Sequence, residues 1–161
     1  MPEPALRPAS CVNVDAVEGA YGGRWKRLGL QGGAEQTGLN WGRLEAGEEG
    51  APPHCHSADE EIFVVLEGEG TLELWPTPQR ARAGVEREEH ALRAGHVISR
   101  PAGTGLAHLL RAGPSGLTYL AYGTRVPDDA CYYPRSNKIA FRGLGLIARL
   151  EDLAYDDGEP G

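Results

Sequence analysis

Short runs rich in β-branched and aromatic residues recur about every ten residues along this chain, and each is stopped by glycine or proline. Residues 39–44, 61–66, 71–75, 96–99, 106–111 and 117–122 read as strands. The two runs flanking Gly68 read as a hairpin, and Gly113-Pro114-Ser115-Gly116 reads as the turn between the last two. Residues 45–53 form a long turn or loop, and residues 76–91, charged and without periodicity, read as an exposed loop with a frayed hairpin. That spacing belongs to a sandwich or barrel. Helical bundles are disfavoured, because 23 glycines and 12 prolines in 161 residues are costly inside helices. With 40% hydrophobic residues the chain can bury a core of ordinary domain size. The expected layout is an N-terminal arm over residues 1–20, a β-barrel domain over 21–148 and an acidic tail over 149–161.

Charge and composition exclude several partners. The net charge of −7 repels phosphate backbones, so no nucleic-acid partner is expected. No apolar run approaches the ~20 residues needed to span a bilayer, and the first residues lack a secretory layout, so no membrane partner is expected either. The three cysteines, Cys11, Cys55 and Cys131, form no CxxC pair. They suit free thiols in a reducing cytoplasm better than a disulfide framework.

The chemistry is concentrated in residues 53–61. On an extended strand His54 and His56 point to the same face, with Cα atoms about 7 Å apart, close enough to share one metal ion. A carboxylate returning after a short turn, Glu60 or Glu61, supplies a third ligand. Strand parity leaves the choice open, because Glu61, Phe63 and Val65 on one face look as apolar as Ile62, Val64 and Leu66 on the other. His108, on a later strand, completes a mononuclear site if that strand stands opposite the first in a closed sheet. Cys55 lies on the opposite face from the histidines and reads as a buried thiol. His90 and His96 read as loop and strand-edge residues.

These residues resemble a known family. Gly47-x6-His54-x-His56-x4-Glu61-x6-Gly68 resembles the first motif of the cupins, and Gly95-x5-Pro101-x-Gly103-x4-His108 resembles the second. The likeness spans roughly residues 38–125 and includes three departures. The first glycine-to-histidine gap is one residue longer, the second-motif histidine comes two residues later than in the common form, and Ala112 stands where an asparagine is expected. The continuation through Asp128-Asp129, Tyr133-Pro134 and Asn137-Lys138 is similar to a group of small bacterial single-domain cupins. The resemblance implies an all-β, double-stranded β-helix (a jelly-roll-like barrel) and a homodimer. It also implies a metal held inside by His54, His56, Glu61 and His108, with the spacing to Gly68 selecting Glu61 over Glu60.

Such a site suits a divalent transition metal, and its nitrogen and carboxylate donors accept Fe, Mn, Ni, Zn or Cu alike. A metal-dependent enzyme of oxygenase or isomerase class, acting on a small polar molecule, is expected. The alternative is a non-catalytic small-molecule binding or sensing module built on the same cavity. A sugar phosphate is the less attractive substrate, with only two lysines in the chain. Arg43 and Arg100 are candidates to grip a substrate carboxylate, against the plainer reading of surface arginines. Phe63, Val65, Leu110, Leu120 and Trp41 are assigned chiefly to the core, while Tyr119 and Tyr122 stay ambiguous.

Overall fold

The structure is a computed structural model that describes residues 11–151, 153–154 and 156–159, so the first ten residues of the expected arm lie outside it. Ten strands appear among the described residues: β1 (Trp25–Lys26), β2 (Thr37–Leu44), β3 (Cys55–His56), β4 (Glu61–Pro76), β5 (Glu88–Arg93), β6 (Val97–Arg100), β7 (Leu106–Thr124), β8 (Ala130–Tyr133), β9 (Lys138–Phe141) and β10 (Leu146–Arg149). Three helices of four or five residues accompany them: α1 (Ala20–Gly23), α2 (Leu28–Gln31) and α3 (Pro78–Arg82). None is long and apolar enough to cross a membrane.

All strand pairs are antiparallel. One sheet runs β1-β2-β7-β4-β5, with β6 also paired to β4; the other runs β10-β9-β8-β3. Two antiparallel bridges, Glu49 to Arg111 and His54 to His108, join β7 to the segment that enters β3. This join between the two sheets is where the candidate ligands meet.

The two reversals expected at glycine do not occur. β4 passes through Gly68 and β7 passes through residues 113–116 without turning back. The strands instead bend together: the register runs from Glu61↔Gly123 to Gly68↔Leu117, then resumes at Gly70↔Ala112, leaving residues 113–116 opposite Glu69 alone. Two long strands with a joint bulge replace two hairpins, since a bulge bends a strand and increases its twist. Glycine is required here by contact as well as by torsion. A Cβ on Gly68, whose φ is +80°, would lie 2.1 Å from the Gly116 carbonyl oxygen, and one on Gly70 would lie 2.2 Å from that of Arg111. The expected loop over 76–91 also contains structure: Pro78 starts α3, and β5 pairs with β4 from Glu69↔Arg93 to Leu74↔Glu88.

The core lies between the bent halves. Phe63, Val65, Leu72, Leu74, Leu92, Ile98, Leu110, Leu117 and Tyr119 form one buried cluster, with Trp25 and Leu44 packed against it. Parity along β4 is thereby fixed: Phe63 and Val65 are buried, Ile62 and Val64 are half-buried and Leu66 is exposed. Leu120 and Trp41, assigned to the core from sequence, are only half-buried. Tyr119 and Leu117 fill the corresponding interior positions of β7.

Candidate metal centre

Each candidate ligand is placed by backbone pairing. His54 N–H donates to the His108 carbonyl (3.2 Å) and His108 N–H donates back to His54 (2.9 Å), a reciprocal pair that sets the two residues side by side. His56 lies in β3, opposite Cys131 of β8. Glu61 opens β4 on the same face as buried Phe63, whereas Glu60 is exposed. The structure therefore brings His54, His56, Glu61 and His108 together and leaves Glu60 at the surface.

The donors converge on one carboxylate oxygen. Glu61 Oε2 lies 3.1 Å from His108 Nε2, 3.6 Å from His56 Nε2 and 3.7 Å from His54 Nε2. Around an ion with bonds of about 2.1 Å, neighbouring donors are separated by roughly 3.0 Å in an octahedron and 3.4 Å in a tetrahedron. The 3.1 Å spacing falls within that range, and the 3.6 and 3.7 Å spacings lie slightly above it. Glu61 Oε2 and His108 Nε2 are both buried without a hydrogen-bond partner. Orphaned buried polar atoms demand an explanation, and a cation among them supplies one.

Electrostatics favours the same donor set. Burial and the neighbouring His108 push the His54 ring down to about 4, so it is neutral and able to donate a lone pair at neutral pH. Burial raises the Glu61 carboxyl, but the hydrogen-bonding approach of His108, with His54 and His56 beside it, outweighs burial and holds Glu61 below the ordinary range. Cys131 also approaches, with its sulfur within 4.8 Å of donor atoms of His54 and His56. Burial pushes that thiol up to about 12, so Glu61 is the anionic donor of the cluster. Cys55 is half-buried, its thiol also raised by burial.

Neighbouring groups complete the site. His54 Nδ1 donates to the Pro52 carbonyl (2.8 Å), and Phe63 packs edge-on against the His108 ring at 5.1 Å. His56 Nδ1 lies 2.7 Å from Asp129 Oδ2, and Asp129 is only 2% exposed. Asp59, equally enclosed, binds Arg142 at 2.5 Å.

A cavity of about 880 Å³ is lined by all four candidate ligands and by five arginines, Arg24, Arg27, Arg43, Arg125 and Arg142. Arg24 is held by Glu48 and Arg142 by Asp59. Arg43 makes only a loose contact with Glu45 at 3.5 Å, and among the described residues Arg27 and Arg125 have no carboxylate partner. Arg100 does not reach the cavity; it donates to the Leu106 carbonyl at 2.8 Å. Tyr119 lines the cavity, its hydroxyl held protonated because burial pushes it up to about 12. Sequence reasoning named Arg43 but missed Asp129 and the other lining arginines, which come from separate segments and form no motif.

No family model matches the chain, and no curated protein matches it in sequence. Solved structures do. A sugar phosphate isomerase of the cupin superfamily from Silicibacter pomeroyi superposes with a TM-score of 0.68 at 28% identity, covering 93% of this chain and 95% of that one. A protein named provisionally as a sugar phosphate isomerase, from Acidithiobacillus ferrooxidans, gives 0.64 at 26% identity, covering 77% and 72%. Oxalate oxidase in complex with the substrate analogue glycolate gives 0.50 at 19% identity, covering 78% and 60%. The chain has the cupin fold.

Proposed function

We propose that this chain is a metal-dependent isomerase of a small, anionic, oxygen-rich molecule, with a phosphorylated sugar as the leading substrate class. His54, His56, Glu61 and His108 are the ligands of one divalent transition ion, Fe, Mn, Ni, Zn or Cu. The observation that carries this reading is the shared cavity: four convergent donors and five arginines line the same space. When bound, the ion supplies a Lewis acid able to polarise a carbonyl or enediol oxygen.

The chain's own groups account for the rest. Held by three imidazoles and one carboxylate, a divalent ion would keep a net positive charge toward the cavity. Arg27, Arg43 and Arg125 offer planar forks suited to phosphate oxygens. They remove the objection that two lysines leave no phosphate cradle. Tyr119 contributes a protonated hydroxyl on the cavity wall as a hydrogen-bond donor. The similarity to the isomerase from Silicibacter pomeroyi supports the reaction class.

The test is reconstitution of metal-stripped protein with each ion, followed by NMR assay of aldose and ketose phosphates. Dioxygen uptake on catechols and keto acids is monitored in parallel. Metal-dependent isomerisation that His56→Ala abolishes is the expected result. Dioxygen consumption with product formation would assign the oxygenase class instead. Silence from loaded protein whose melting temperature rises with sugar phosphates would leave a binding module.

The reading includes a cytoplasmic homodimer with a small-molecule partner and neither nucleic-acid nor membrane partners. Free thiols at Cys11, Cys55 and Cys131 support the compartment. The exposed Leu146 and Ile147 on edge strand β10 support self-association. Light scattering at micromolar concentration that gives a monomer mass would remove the dimer.

A further inference from the structure

The carboxylate of Asp129 comes from a segment 73 residues beyond His56, yet each of its oxygens has a distinct set of partners. Oδ1 accepts from the backbone N–H of Ala58 (2.9 Å) and Asp59 (3.1 Å), with the Ser57 hydroxyl at 3.3 Å. Oδ2 faces His56 Nδ1 at 2.7 Å and the Arg142 guanidinium at 3.7 Å. Apart from the imidazole, every partner of the two oxygens is a donor: two backbone N–H groups, a hydroxyl and a guanidinium, the surroundings of an acceptor. A carboxylate oxygen only accepts. His56 Nδ1 must then carry the proton, which leaves the lone pair on Nε2, the atom 3.6 Å from Glu61.

We propose that Asp129 is a positioning residue that fixes the tautomer and ring direction of His56 and thereby sets the metal affinity of the site. The affinity part rests on the metal reading above; the tautomer part does not. The reason is geometric. The two backbone donors at Oδ1 leave no freedom to rotate the group, so any replacement must present an acceptor to Ala58 and Asp59. Arg142 reinforces this arrangement. Its backbone N–H donates to the Asp129 carbonyl (3.0 Å), and its guanidinium holds Asp59 (2.5 Å) and the Val126 carbonyl (2.7 Å). The turn after β9 is thus tied to the orientation of a ligand in β3.

Asp129→Asn has nearly the same shape but reverses the polarity at Oδ2. Its amide oxygen must face Ala58 and Asp59, so its NH2 group faces His56 Nδ1. Nδ1 then becomes an acceptor and the proton moves to Nε2, the nitrogen needed for the ion. Asp129→Ala is the more disruptive change for packing, but it leaves the ring free to choose either tautomer. We expect Asn to weaken metal binding about 10- to 100-fold, the range for lost partners of ligating histidines, and Ala to weaken it less. A purely structural role predicts the opposite order.

Two measurements decide the matter. Chelator competition with Zn²⁺ and Mn²⁺ gives the affinities of wild type, Asp129→Asn and Asp129→Ala, with metal-free melting temperatures as the folding control. Nitrogen-15 NMR of metal-free wild type reads the His56 tautomer directly, and remains available if neither variant folds. The proposal stands on Nδ1–H in wild type and Asn weaker than Ala. It is overturned by Nε2–H in wild type, by Asn at wild-type affinity, or by Ala weaker than Asn. A wild type that takes up no ion would sink the metal reading and the affinity part, leaving the tautomer to the NMR.

Discussion

His54 and His108 exchange both of their backbone hydrogen bonds, at 3.2 and 2.9 Å, and their rings lie 4.5 Å apart between centroids. Two candidate ligands from distant parts of the chain are thus registered by main-chain pairing alone. The metal-free protein should therefore fold cooperatively and gain stability on loading. At a hundredfold excess over Kd a bound ion adds about 2.7 kcal/mol. That corresponds to a rise of roughly 5–10 °C for a domain of this size. His108→Ala should lose most of that rise while its metal-free melting temperature changes much less. Calorimetry with and without Zn²⁺ checks this, and an unchanged metal-dependent rise in the variant would remove His108 from the ligand set.

The joint bulge sets a second expectation. A side chain at Gly68 meets both a left-handed φ of +80° and the Gly116 carbonyl at 2.1 Å. Backbone cannot yield there without moving β7. Gly68→Ala should destabilise the protein by at least about 2 kcal/mol, the range in which strain and overpacking act together. A urea midpoint indistinguishable from wild type would show that the two strands are not in contact at this point.

Glu73 of β4 has a side chain only 4% exposed and is surrounded by Arg87, Arg111 (3.0 Å) and the indole of Trp75 (3.1 Å). Burial raises its carboxyl, but the hydrogen bonds from Arg111 and Trp75 and the charge of Arg87 outweigh that, and the net shift is downward. A carboxyl depressed in the folded state adds stability above its unfolded value, near 4.3, and loses it as pH falls through the folded value. Glu73→Gln should cost about 1–3 kcal/mol at pH 7, and the gap from wild type should close below about pH 4. A gap constant from pH 7 to pH 3 would mean that shape rather than charge is at stake.

How much of this was legible in the sequence depends on whether a signal is local. The β-branched run at 61–66 and the alternation at 71–75 marked β4, and the histidine spacing placed His54 and His56 on one face. Glycine and proline mark reversals and bends with the same residues, so the bulge opposite Glu69 read as a turn. A five-residue helix such as α3 is too short to show a period. Glu61 could not be told from Glu60 by parity, because Ile62 and Val64, outside the core cluster, are still half-buried between β6 and β7. Asp129 entered only as part of a resemblance and with no role, since nothing local announces a partner 73 residues away. The arginine lining is gathered by the barrel from separate segments and carries no spacing at all.

The three thiols should separate cleanly by reactivity. Cys11 is exposed, Cys55 is half-buried and Cys131 is buried. Burial is the main reason the Cys131 thiol is pushed up to about 12, and only the thiolate attacks. Iodoacetamide at pH 8 followed by peptide mass spectrometry should label Cys11 first and Cys55 slowly. Cys131 should label only after unfolding. Labelling of Cys131 as fast as Cys11 would place β8 at an open edge rather than inside the site.

The last expectation concerns the cavity's charge. The chain carries −7 overall, yet Arg27 and Arg125 line the ligand cavity without carboxylate partners among the described residues. Glu48, Glu49, Asp59 and Glu61 share the lining, so these two guanidinium groups are the ones placed to attract a small anion that can enter the cleft. Millimolar inorganic phosphate should therefore raise the melting temperature of metal-loaded wild type. Replacing both arginines by alanine should weaken phosphate binding about tenfold or more, equivalent to roughly 1.4 kcal/mol. In turnover with a phosphorylated substrate the same double variant should raise KM more than it lowers kcat, since groups remote from the reacting carbons bind substrate and transition state alike. A double variant that binds phosphate as tightly as wild type would detach these arginines from substrate recognition, and the case for an anionic substrate would then lose its main physical support.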